Sequence, residues 1–141
     1  MSPTLLNNFK NAYRDMLQMD LSRLDLLYAE DVQFRDPIHR VQGLPALQDY
    51  FSSVIADVEE CRFEFLDQLL ADQSAYFKWD MYLRHPRLSK GELIIVRGIS
   101  QIQYEDRIYY HEDSYDVGQM FYEHVPVIGA MTRWLKLKVA S

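Results

Sequence analysis

The apolar residues of this chain change period at Glu60. Before that point Leu6, Phe9, Tyr13 and Met16 or Leu17 recur at helical spacing, as do Leu47, Tyr50, Phe51, Val54, Ile55 and Val58. Beyond it Phe63 and Phe65 alternate with Arg62 and Glu64, and Phe77, Trp79, Met81 and Leu83 alternate with Lys78, Asp80, Tyr82 and Arg84. Only a strand sends every second side chain to one face. Helices therefore come first and half-buried strands follow. That grouping predicts an α+β fold with the N-terminal helices packed on one face of a curved, mainly antiparallel sheet.

The punctuation agrees with this division. Ser2 and Pro3 suit a helix start, and Asp20 can cap a short second helix carrying Leu24, Leu27 and Tyr28. Residues 31–35 then read as a strand stopped by Asp36-Pro37, and Gly43 and Pro45 introduce the third helix. A hairpin turn is expected at 71–74, a longer loop at 85–91, and further strands at 92–104 and 107–116. After Val117 the pattern is helical again, interrupted by Pro126 and Gly129, so 118–141 reads as a C-terminal helical extension. There Val127, Ile128, Met131, Trp134 and Leu135 share a segment with Arg133, Lys136 and Lys138. Such a segment suits a helix on the sheet or a partner subunit, and equally a basic amphipathic contact with anionic lipid.

With 141 residues, 48% of them hydrophobic, residues 1–141 form one expected domain with one core. A net charge of −6 sets most of the surface against a polyanion, so no nucleic acid partner is expected. The single cysteine, Cys61, cannot form an intrachain disulfide, which suits a reducing cytoplasm. Runs such as 93–96 are too short to span a bilayer, and the N-terminus lacks a secretory pattern.

The stretch Tyr28-Ala29-Glu30-Asp31-Val32-Gln33-Phe34-Arg35-Asp36-Pro37, with His39 and Gly43 ahead of an amphipathic helix, resembles the nuclear transport factor 2-like superfamily. It is most similar to the SnoaL-like and ketosteroid-isomerase-like branches. The order of elements matches from residue 3 to residue 117. The resemblance implies a cone-shaped α+β barrel around an apolar cavity, and a homodimer formed through the sheet. It does not settle the activity, because the superfamily holds isomerases, cyclases, hydrolases and proteins without catalysis.

The resemblance also implies site residues. Asp36 matches the general base of the isomerase branch, although an Asp before Pro is equally a turn former. Tyr13 aligns with the oxyanion-donor tyrosine, and is also at core spacing on helix 1. The position where that branch keeps a second acid falls here near Ser100, in Gly98-Ile99-Ser100, a departure that tells against steroid isomerisation. His111 and Asp113 resemble the His-x-Asp of SnoaL-like cyclases; period two puts both, with Tyr115, on one strand face, and a solvated acidic edge would read the same way. Expected ligand contacts are His39, Phe34, Trp79, Val96 and Tyr115.

Histidines at helical i,i+4 spacing, a phosphate loop, a nucleophile elbow and a dinucleotide fingerprint are all missing from the sequence, so neither metal nor cofactor is expected. The resulting expectation is a binding site for a small apolar molecule, with carboxylate proton transfer on a neutral substrate where it is catalytic. The rival is a non-catalytic adaptor that dimerises through an outer sheet face bearing Leu70, Tyr76 and Tyr82 and uses its C-terminal segment to meet a membrane or protein.

Overall fold

Helix α1, Pro3–Arg14, turns Leu5, Leu6, Phe9 and Tyr13 inward against strand β3, Glu60–Leu70. The structure, a computed structural model, describes residues 3–120, 134–135 and 137–140. Ser2, and the tail residues Val127, Ile128, Met131, Arg133 and Lys136, lie outside the described residues. After α1 come two 3-10 turns, Met16–Gln18 and Leu21–Leu26, the second capped as expected by Asp20, whose carboxylate accepts from the Ser22 amide at 3.1 Å.

The remaining strands are β1 (Tyr28–Arg35), β2 (Arg40–Gln42), β4 (Ser74–Arg84), β5 (Ile94–Tyr104) and β6 (Ile108–Tyr115). Helix α2, Leu44–Asp57, lies between β2 and β3 and packs on β1. A short helix, α3, covers Val117–Met120. The sheet is six-stranded in the order β2-β1-β6-β5-β4-β3. Every pairing is antiparallel except β1 with β6, which runs parallel and places Phe34 beside His111. The fold is thus the α+β arrangement expected, a curved open sheet holding helices on one face.

Three local features differ from the sequence reading. The second helix is a pair of 3-10 turns, and Tyr28 belongs to β1, which begins three residues earlier than Asp31. Leu24, Leu27 and Tyr28 satisfy a helical period, but pairing with Ile108 and a buried hydroxyl contact hold Tyr28 in the sheet. Strand β2 was not anticipated. Its three residues are too few for a periodic signal, and only pairing with 33–35 defines it. Between Phe65 and Asp67 the β3–β4 register slips, so the alternation of β3 changes phase beyond Leu66 and Leu69 comes to stand opposite Tyr76.

Trp79, Phe77, Phe9, Tyr28 and Ile102 are among the fully buried side chains, and each such apolar burial contributes roughly 1.5–3 kcal/mol. Trp79 fits because Gly98 faces it across β4 and β5. A Cβ at position 98 would sit 2.3 Å from the indole Cη2 and 2.8 Å from the Ser114 carbonyl. No helix among the described residues is long and apolar enough to cross a membrane. In urea unfolding, Gly98→Ala is expected to lower stability by about 1–3 kcal/mol, since the indole is pinned on its other side and backbone cannot yield. An unchanged midpoint would show that Trp79 moves freely.

Candidate functional site

The turn that ends β1 builds the first half of the site. Pro37 cannot continue the ladder, and the Asp36 carboxylate replaces it locally: Oδ1 accepts the amides of Ile38 at 2.9 Å and His39 at 2.7 Å. The chain then reverses through β2, and Gly43, at φ 89°, donates its amide to the Val32 carbonyl and opens α2. One turn and a half into α2, Tyr50 reaches back over the turn and its hydroxyl donates to Asp36 Oδ2 in a short hydrogen bond. His39 Nδ1 lies 3.3 Å from Asp36 Oδ1 and 3.2 Å from the Tyr50 hydroxyl. Asp36 is thus both turn former and cavity wall, and only 7% exposed.

Strand β6 supplies the second half. Its inner face presents His111, Asp113 and Tyr115, as period two requires. Asp113 Oδ1 accepts from the Ser100 hydroxyl at 2.5 Å and from His111 Nε2 at 2.8 Å. Oδ2 takes neither bond. Behind Asp113, His111 Nδ1 is 2.7 Å from the Tyr28 hydroxyl, which is 2.6 Å from that of Tyr13. In front, Trp79 Nε1 donates to Ser100 Oγ at 2.8 Å.

One polarity gives each of these protons an acceptor among the described residues. Tyr13 donates to Tyr28, Tyr28 donates to His111 Nδ1, and a neutral imidazole donates from Nε2 to Asp113. This assigns the Nε2–H tautomer to His111. Ser100 is the hydroxyl that orients the Asp113 carboxylate.

Both halves open on a cavity of about 510 Å³. Asp36, Asp113, Tyr13, His39, Phe34, Trp79 and Tyr115 line it, all predicted from sequence. Two predicted residues stand elsewhere. His111 is fully buried behind Asp113, and Val96 is fully buried in the core while its register partner Met81 lines the wall. Sequence reasoning missed Tyr50, which was read only as part of the apolar face of α2, and His85, read as a loop residue. Fourteen residues separate Tyr50 from the Asp36 it touches, so no local pattern could have joined them.

Burial, followed by the hydrogen bond and charge of Asp36, pushes the Tyr50 phenol well up. Burial and then the charges of Asp36 and Asp113 do the same to Tyr115. Burial raises Tyr13 and Tyr28 far above the ordinary phenol value. All four therefore keep their protons and act as donors. Cys61 in the cavity wall is pushed up to about 12, chiefly by burial, so it is a poor nucleophile. Among the described residues no three His, Cys, Asp or Glu side chains gather to hold a metal ion.

Comparison with known proteins places this geometry. A search of curated proteins finds no match. Among solved structures, a protein of ketosteroid isomerase-like fold from Catenulispora acidiphila, crystallised with trimethylamine, superposes with a TM-score of 0.72 at 12% identity, covering 84% of this chain and 90% of that one. An NTF2-like protein of unknown function from Burkholderia pseudomallei gives 0.72 at 17% identity over 85% and 95%. A candidate SnoaL-like polyketide cyclase from Shewanella putrefaciens gives 0.70 at 16% identity over 83% and 90%. At such identities the likeness is one of fold, the NTF2-like cone. The model of the SnoaL-like domain matches residues 9–111, from α1 to the histidine behind Asp113, and the chain belongs to that family.

Proposed function

We propose that the cavity binds a small, largely apolar organic molecule, and that Asp113 and Asp36 serve it in proton transfer without a cofactor. The observation that carries this reading is the wall itself: aromatic and aliphatic side chains surround two carboxylates, each fixed by hydrogen bonds from behind. A volume near 510 Å³ falls in the usual small-molecule range of about 300–1,000 Å³. The Catenulispora structure, obtained with trimethylamine, supports small-molecule binding by this fold.

The two carboxylates are not equivalent. Asp36 already uses both oxygens, whereas Asp113 has Oδ2 left for a ligand. Asp113 is therefore the better proton acceptor, taking a proton from a substrate carbon beside a carbonyl and returning it elsewhere on the same molecule. Tyr115, whose hydroxyl makes no hydrogen bond among the described residues, is free to donate to the oxygen where charge develops. A His111 that touches Asp113 rather than the cavity would act by holding the carboxylate.

Native mass spectrometry of freshly purified protein should show a retained small molecule. Trp79→Ala, which removes the largest ring of the wall, and Asp36→Asn should each release it. A ligand-free protein, unaltered by either change, would count against the reading.

A second reading has its own observation. Leu69, Tyr76, Ile95 and Ile99 stand 43–71% exposed on the outer sheet face, with Leu69 and Tyr76 directly opposite in register. We infer that this face forms a homodimer. Sedimentation equilibrium should give twice the chain mass, and Ile99→Glu should shift it toward the monomer. A monomeric wild type would remove this reading. At the C-terminus Trp134, Leu135, Leu137 and Val139 are exposed beside Lys138, so peripheral contact with anionic lipid is part of the same proposal. Co-sedimentation with phosphatidylserine vesicles, lost on truncation after residue 123, is the expected result; equal sedimentation of the truncated chain would exclude the tail as the contact.

A further inference from the structure

We propose that the cavity selects a positively charged nitrogen: its ligand is an organic ammonium ion with an apolar or aromatic body, seated between Asp113, Asp36 and the surrounding ring faces. The inference rests on the reading that the cavity binds a small organic molecule, and it replaces the neutral substrate expected from sequence with a cationic one.

The charge of the wall is one-sided. Asp36, Asp57 and Asp113 line the cavity, and among the described residues no lysine or arginine does. Of the arginines on β3, β4 and β5, Arg62 and Arg84 pair with Glu60, and Arg97 pairs with Asp80. The basic side chains within the wall are His39 and His85. His39 is half exposed at the mouth, and His85 Nδ1 accepts the Arg87 amide at 3.0 Å, which occupies its lone pair. His111, behind Asp113, is the neutral tautomer by the hydrogen-bond polarity argued above, so it orients the carboxylate without cancelling its charge.

The two carboxylates act on the same space. Tyr50 and Tyr115 reach it from α2 and from the end of β6, and each phenol is raised by both Asp36 and Asp113 after burial. Two carboxylates facing one enclosed space set a negative potential there. An anionic ligand would be repelled there. A neutral apolar ligand would cover Asp113 Oδ2 without giving it a partner, which burial penalises. An ammonium group meets the oxygen directly, or stands near it as a methylated cation, and removes that penalty.

The rings supply the second half of the recognition. Phe34, Tyr50, Phe51, Phe63, Trp79 and Tyr115 line the wall. A cation over such faces is attracted by their quadrupoles, most strongly where water is excluded, and aromatic enclosures of this kind suit alkylated ammonium groups. Carboxylates at one end and rings around the rest would seat the charged nitrogen at Asp113 and Asp36 and the apolar body against Trp79 and Phe63.

The test is a ¹H–¹⁵N NMR titration of the full chain with three probes of similar size: benzyltrimethylammonium, its uncharged carbon isostere neopentylbenzene, and phenylacetate. The ammonium should bind about tenfold or more tightly than the isostere, and phenylacetate should bind worst. Asp113→Asn and Asp36→Asn should each weaken the ammonium by about tenfold while leaving the isostere within about twofold. Equal or tighter binding of the isostere to the wild type overturns the inference and leaves the ligand-binding reading standing. Failure of all three probes to move the resonances of the cavity residues removes both. The wild-type comparison decides between these outcomes even where a variant does not fold.

Discussion

A series of hydrogen bonds runs through the interior from Tyr13 on α1 to Tyr28 on β1, His111 and Asp113 on β6, Ser100 on β5 and Trp79 on β4. Polar groups so far from water are costly unless each finds a partner, and here no buried side-chain nitrogen or oxygen among the described residues is left without one. The series therefore constrains the fold as strongly as the apolar contacts do. A shift of β1 against β6 would separate Tyr28 from His111, and a slip of β5 against β6 would take Ser100 from Asp113. Apolar packing tolerates small displacements; hydrogen bonds of 2.5 to 2.8 Å do not.

This constraint explains the division of labour between the carboxylates. Asp113 is held from inside the core by His111 and Ser100, whose own positions are fixed by Tyr28 and Trp79. Asp36 is held by its own turn and by one helix residue, Tyr50, at the edge of the sheet. The first arrangement keeps a carboxylate still and leaves one of its oxygens free. The second consumes both oxygens in local structure. The two acids carry the same chemistry and differ in what their surroundings have left available.

Much of this was legible in sequence wherever the information was local. The period change at Glu60 located the strands that follow it, and period two placed His111, Asp113 and Tyr115 on one strand face, the resemblance alone implying that this face points inward. Asp36-Pro37 marked the end of β1. What could not be read depended on partners far apart in the chain. Strand β2 exists only through its pairing with β1, and the parallel contact of β1 with β6 leaves no periodic trace. Tyr50 was visible as a helix-face residue, but its tie to Asp36 required the turn and helix to meet in space. Val96 shows the converse limit: it was expected to touch the ligand, yet the inner face of the sheet also includes core positions that never reach the cavity.

Ser100 stands between Asp113 and Trp79, bonded to both. A second acid there would have needed to stay protonated beside Asp113, or would have set two like charges against each other across β5 and β6. A serine avoids both outcomes, because its hydroxyl gives a proton to Asp113 and takes one from Trp79. The serine thus spends its donor on the wall. In the proposed reading, donation to the ligand then falls to Tyr115, two residues beyond Asp113, and among the described residues no lysine or arginine of the lining offsets the two carboxylates. On that reading the cavity suits a ligand that brings its own proton or its own positive charge.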